Sequence, residues 1–147
     1  MNLIENKKAG LKYEIIETFD AGLELSGGEA KALRGKLGSL EGARVLVRGG
    51  EAYLVGATIP PYQAKNTPES YDPERNRRLL MTKPELAQLA DAESKKGLTV
   101  VPLSVYSSKR YIKARVAIVR GKGKKDKRED LKKKDAKRDA ERILKNR

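Results

Sequence analysis

Alternation is the clearest pattern along this chain. Over residues 111–119, Ile112, Ala114, Val116 and Ile118 fall on one side, and Lys113 and Arg115 fall on the other. A period of two over that length predicts a strand buried on one face. Residues 99–106 form a second β-rich run and the natural partner of the first. Pro102 inside it predicts an edge or a bulge, because proline has no N–H to donate. Residues 43–48 and 51–55 flank Gly49-Gly50 and predict a hairpin, since the two glycines supply the positive φ angles of a two-residue turn. Residues 13–19 are rich in β-formers, and Leu23-Glu24-Leu25 alternates.

Helical periodicity is confined to two stretches. Thr82-Lys83-Pro84-Glu85 combines a cap residue, an early proline and a glutamate three residues after the cap. Leu86, Leu89, Ala90 and Glu93 follow, and Gly97 marks the stop. A second helix is expected over 28–35, with Ala30, Leu33 and Leu37 turned inward, although Ser26-Gly27-Gly28 is a loose start. Residues 60–75 read as a long irregular loop, a type that is often functional. No repeat of 20–50 residues is present. Many short strands with two helices predict a small antiparallel barrel, and an OB-like fold fits best.

Charge divides the chain. Of its 147 residues, 33 are Lys or Arg and 20 Asp or Glu, a net of +13. Residues 120–147 hold 14 of the bases and 6 of the acids, a net of +8. The expected organisation is a folded body over 1–119 and a basic tail over 120–147. Such a balance predicts a polyanionic partner. The chain has no Cys and no His. Thiolate metal sites, disulfides, Ser-His-Asp chemistry and imidazole bases are thereby excluded. No apolar run approaches the roughly 20 residues that span a bilayer, and no targeting pattern opens the sequence. We expect a cytoplasmic monomer with no catalytic residues, no metal and no cofactor.

Three basic constellations stand out. The tail has strong helix formers, no Gly or Pro after 123, and only Leu131, Ile143 and Leu144 as large apolar residues. That stripe is too thin to pack, so the tail is expected to be disordered when free and helical against a polyanion. Lys113 and Arg115, with Tyr111 beside them, offer phosphate contacts and a stacking ring; a solvated strand face is equally compatible. Arg75, Arg77 and Arg78 suggest a phosphate clamp, the alternative being pairing with local acids such as Asp72 and Glu74.

In their order and spacing, several blocks together resemble the SsrA-binding (SmpB) family. They include Asn6-Lys7-Lys8-Ala9, Tyr13 with Phe19-Asp20-Ala21-Gly22-Leu23, and residues 27–36. Others are residues 50–54, Asp72-Pro73 with residues 75–80, residues 97–103, Lys113 through Gly121-Lys122, and Asp126-Lys127-Arg128-Glu129. The resemblance implies a six-stranded antiparallel OB-like barrel with about three helices. It implies binding to the tRNA-like domain of transfer-messenger RNA and delivery of that RNA, with elongation factor Tu and GTP, to stalled ribosomes. Carried over by position, the RNA-binding residues are Asn6, Lys7, Tyr13, Asp20, Glu29, Lys31, Arg34, Leu80, Lys113 and Gly121. Lys8, Arg77, Arg78 and Lys122 complete the candidate set. The resemblance also implies that the tail enters the empty message channel and meets small-subunit RNA at the decoding site. There the candidates are Lys124, Lys125, Asp126, Lys127, Arg128, Lys132, Lys133, Lys134, Lys137 and Arg138.

The chain departs from the family pattern at Asp20, usually Glu, and at Gly28, Ala30, Gly123 and Lys125. Lys125 offers charge where the family usually has a ring that can stack. Two other classes stay open on the residues alone. One is a general single-strand binder, which an aromatic content of 5% disfavours. The other is a small RNA-acting enzyme that uses carboxylate-bound Mg²⁺.

Overall fold

The structure, a computed structural model, describes residues 2–63 and 68–121. Among the described residues, seven strands and three helices follow one another. They are β1 (Asn2–Glu5), α1 (Ala9–Lys12), β2 (Tyr13–Leu23), α2 (Gly27–Arg34), β3 (Arg44–Arg48), β4 (Glu51–Val55), β5 (Arg77–Leu80), α3 (Lys83–Ser94), β6 (Leu98–Ser108) and β7 (Tyr111–Gly121). The strands form one antiparallel sheet in the order β1-β6-β7-β2-β5-β4-β3. β3, at one edge, packs back against β6 near the other, so the sheet curls around a single main core. One strand more is present than expected. The short β1 and β5 lack the alternating runs that announced the longer strands. β7 continues through Gly121, two residues past the expected limit of the body. Of the expected tail over 120–147, residues 122–147 lie outside the described residues.

The local signals act where the sequence carries them. Gly49 (φ +59°) and Gly50 (φ +77°) close the β3–β4 hairpin. Ile112, Ala114, Val116 and Ile118 are buried together in the core. Thr82 accepts from the Glu85 N–H while Glu85 accepts from the Thr82 N–H, closing a capping box on α3. α3 then buries Leu89 and Ala92, and its Glu93 accepts from the Val47 N–H of β3 at 2.9 Å. Ser26 and Glu29 form the same box on α2, so its start is firm despite Gly27-Gly28. Leu37 lies past the end of α2 and is exposed; Ala32 fills the core beside Leu33 instead.

A buried ionic cluster ties α2 to β5. Glu29 is 1% exposed and Arg77 0%. The Glu29 carboxylate accepts from Arg77 Nε at 2.8 Å, Arg75 Nε at 3.0 Å and the Ser26 N–H at 2.9 Å, Arg75 Nη2 donates to it as well, and Tyr71 Oη stands 3.2 Å away. Arg77 spends its remaining donors on the Ala57 and Pro73 carbonyls, both at 2.9 Å, and on Tyr71 Oη. Tyr71 Oη in turn donates to the Ile59 carbonyl at 2.7 Å. The cluster therefore pins both described ends of the 60–75 loop. Burial alone would raise the Glu29 pKa; the Arg75, Ser26 and Arg77 donors more than reverse this and hold it at about 2, against an ordinary 4.5.

Two outcomes follow. Glu29→Gln leaves Arg77 charged and enclosed, so it should cost about 3–5 kcal/mol in urea unfolding. A carboxylate with a depressed pKa stabilises fully above its unfolded value and loses that contribution as pH falls through the folded one. Between pH 5 and pH 3 this group alone should withdraw about 2 kcal/mol. The drop should shrink correspondingly in Glu29→Gln.

Candidate nucleic-acid interface

Residues that face each other across an antiparallel ladder share a side of the sheet. Along β7 the outward positions are Tyr111, Lys113, Arg115, Ala117, Val119 and Gly121. Their β2 partners, from Lys113 onwards, are Gly22, Asp20, Thr18, Ile15 and Tyr13. Tyr13 and Asp20 are seven apart and would lie on opposite faces of a regular strand. A register shift between Ile15 and Glu17 inserts one extra residue and brings them to the same side. A second shift, between Pro102 and Ser104, does the same for Val101 and Ser104 on β6. Pro102 thus sits at the bulge its chemistry predicts. Val101, Ala117 and Val119 are buried on this side of the sheet and, with Tyr13 and Leu103 packed against them, form a small second core separate from the main one.

One end of the face opens into a groove of about 320 Å³ lined by Gly22, Arg34, Leu80, Arg110, Tyr111 and Lys113, among others. Arg34, Leu80 and Lys113 come from α2, β5 and β7, so the groove unites three sequence-selected residues that are far apart in the chain. Arg34 Nη2 donates to the Arg110 carbonyl at 3.0 Å, tying α2 to the β6–β7 turn. Leu80 is 49% and Tyr111 72% exposed. Apolar and aromatic surface between guanidinium and ammonium groups suits an unstacked base with its phosphates. Next along the strands, Asp20 accepts from Tyr106 Oη at 2.8 Å and from Arg115 Nε at 3.2 Å. The Tyr106 hydroxyl, with help from Arg115 and Lys113 and against partial burial, holds the Asp20 carboxyl below its ordinary pKa.

The far end carries the other selected residues. From Lys113 to Gly121 is eight residues of strand, about 26 Å. Tyr13 pairs with Gly121 there. Asn6 is spent on structure: its N–H donates to the Leu103 carbonyl at 2.8 Å and its Nδ2 to the Pro102 carbonyl at 3.0 Å, both at the β6 bulge. Lys8 pairs with Glu41 at 2.7 Å, both exposed, so solvent screens the pair and it adds little to stability. Lys7 is exposed.

Five further positions take other places. Glu29 and Arg77 are enclosed in the cluster described above, so neither can meet an RNA surface; the expectation that they bind RNA is corrected. The β5 alternation turns Arg77 and Leu79 inward, and Arg78 and Leu80 outward. Arg78 is exposed but pairs with Glu24 at 2.8 Å and lies 3.8 Å from Glu51. Arg75 pairs with Glu29 rather than with Asp72 or Glu74. Lys31 is exposed on α2. Lys122 and the ten tail candidates lie outside the described residues. Sequence reasoning missed Arg110 and Tyr106. Arg110 sits in a turn whose direction only the hairpin register reveals, and Tyr106 is drawn in by Asp20.

A family model described as "SmpB protein" matches residues 3–146. The chain belongs to the SmpB family. It is 42% identical over 143 residues to the SsrA-binding protein of Microcystis aeruginosa, covering 97% of this chain and 93% of that one. To the SsrA-binding protein of Chelativorans sp. it is 44% identical over 144 residues, covering 97% and 92%. Among solved structures, it is similar to a chain from "tmRNA-SmpB: a journey to the center of the bacterial ribosome". That match has a TM-score of 0.69 and 39% identity, covering 86% of this chain and 92% of that one. SmpB proteins are RNA-binding adaptors, not enzymes. Among the described residues, no group of acids is arranged to hold a metal, and no helix is long and apolar enough to cross a membrane.

Gly22 is where this SmpB groove is most sensitive to bulk. A Cβ there would meet Leu80 Cβ at 3.1 Å. Gly22→Ala should push Leu80 aside at a cost of about 1–3 kcal/mol. Amide shift changes in a two-dimensional NMR spectrum should concentrate at Leu80, Lys113 and Tyr111 rather than spread through the core.

Proposed function

We propose that this protein binds the tRNA-like domain of transfer-messenger RNA across the outer β2–β7–β6 face. It then delivers that RNA to stalled ribosomes for trans-translation. The observation that carries this reading is the groove uniting Arg34, Leu80 and Lys113, in a chain 39% identical to SmpB in a tmRNA–ribosome study. Cations on the face neutralise phosphates, while Leu80 and Tyr111 take up unstacked bases. The protein acts as a cytoplasmic monomer, and it meets elongation factor Tu and GTP through the RNA. Its basic tail, including Lys124–Arg128 and Lys132–Lys134, enters the empty message channel and becomes helical against small-subunit RNA. It supplies charge and hydrogen bonds rather than catalysis.

The decisive test is binding to the tRNA-like domain, to bulk tRNA and to oligo-U across a salt series, with the full chain and a 1–121 truncation. Both forms should prefer the tRNA-like domain clearly. Lys113→Ala should weaken that binding by about 3–10-fold and lower the salt slope by about one unit. A preference for oligo-U, or selectivity that vanishes with the tail, would make the protein a general polyanion binder instead.

A further inference from the structure

We propose that Asp20, Tyr106 and Arg115 form a built phosphodiester-binding fork, in which Arg115 makes the contact and Asp20 is a positioning residue. This rests on the outer face being the RNA-binding face. The three residues come from three adjacent strands: Asp20 lies opposite Arg115 on β2 and β7, and Tyr106 lies opposite Lys113 on β6 and β7. Both tethers end on one atom. Asp20 Oδ1 accepts from Tyr106 Oη at 2.8 Å and from Arg115 Nε at 3.2 Å. The Arg115 guanidinium carbon also stands 5.6 Å from the centroid of the Tyr106 ring. The carboxylate thus holds the guanidinium at its inner nitrogen while the ring lies beneath its carbon.

This arrangement leaves the outer part of the group free. Among the described residues, Asp20 is the only acceptor that Arg115 meets, so its Nη1 and Nη2 N–H groups stay available. The side chains of Arg115 and Asp20 are each 51% exposed. A planar guanidinium with unspent Nη donors matches two oxygens of one phosphate, a geometry that an ammonium cannot reproduce. Lys113 adds a second cation two residues along the same face, its backbone about 7 Å from that of Arg115. Fixing Nε beforehand removes much of the rotamer freedom that a free arginine would lose on binding. Asp20 by contrast adds negative charge to a surface approached by phosphates, so its contribution to binding comes through the arginine and the tyrosine. Tyr106, outside the original candidate set, joins the interface on this account.

The test is a double-mutant cycle in the full-length chain, with the tRNA-like domain of transfer-messenger RNA as the probe. Arg115→Lys keeps the charge and loses the fork; Asp20→Asn keeps the shape and loses the charged tether. Each should weaken binding by about 3–10-fold, and the double variant should be no weaker than Arg115→Lys alone. Tyr106→Phe retains the ring, loses the hydroxyl tether, and should cost about 2–3-fold. Arg115→Ala should lower the salt slope by about one unit, and Asp20→Asn should leave the slope within half a unit of wild type. If the Asp20→Asn and Arg115→Lys losses multiply, Asp20 touches the RNA itself and the assignment is overturned. Unchanged affinity in Arg115→Lys overturns it equally. Absence of selective binding by the wild-type chain overturns the functional reading as well, and so is distinguishable from failure of the fork alone.

Discussion

The Glu29–Arg77 pair is the constraint on which the rest of this structure depends. It joins the first turn of α2 to β5, 48 residues on, in a place where neither group sees water. Enclosing two charges is expensive, and attraction alone offsets the cost only when the remaining donors and acceptors are also met. Here they are: among the described residues no buried side-chain nitrogen or oxygen lacks a partner. The consequence is positional. With the start of α2 fixed to β5, the other end of α2 delivers Arg34 to the β6–β7 turn, and β5 delivers Leu80 opposite Gly22. The groove exists because two elements that share no backbone ladder are locked together by one carboxylate.

Backbone irregularity performs the second task. Without the extra residue near Ile16, β2 could not bury Phe19 and still keep both Tyr13 and Asp20 outside. Without the shift beside Pro102, Val101 and Ser104 would face opposite ways. Each bulge exchanges a little ladder regularity for a change in which residues share one side of the sheet. Asn6 reinforces the β6 bulge by donating to both carbonyls there, Pro102 and Leu103. Its place in the family pattern is therefore consistent with shaping the face rather than meeting a ligand.

These two devices also mark where the sequence is legible. The β6–β7 alternation, the Gly49-Gly50 hairpin and the Thr82 capping box are written within short windows and appear in the structure as read. Pro102 carries its own chemical signal. The Ile16 bulge carries none, because Ile15-Ile16 looks like any β-rich run. The Ser26-x-x-Glu29 box was present in the sequence, but Gly27-Gly28 between the partners argues locally against a helix, and tertiary bonds to Arg75 and Arg77 decide it. Arg77 is the instructive case. An arginine in a basic cluster reads as surface, yet β5 alternation places it beside Leu79, facing inward. Only a carboxylate 48 residues away makes that placement affordable, and no single window holds both.

The same pairing logic separates two kinds of cation on a chain with net charge +13. Arg115 with Asp20, Arg78 with Glu24 and Lys8 with Glu41 are positioned by acids and lose part of their long-range field to them. Lys7, Lys31 and Lys113 have no ion-pair partner among the described residues and act mainly through that field. Free ammonium groups attract any polyanion, with a strength that salt erodes. Tethered guanidinium groups add little attraction at a distance but present fixed donors at contact, where geometry discriminates. An excess of bare charge alone would bind every RNA alike. The acids embedded in this basic surface turn part of that charge into shape, and shape is what distinguishes one folded RNA from another.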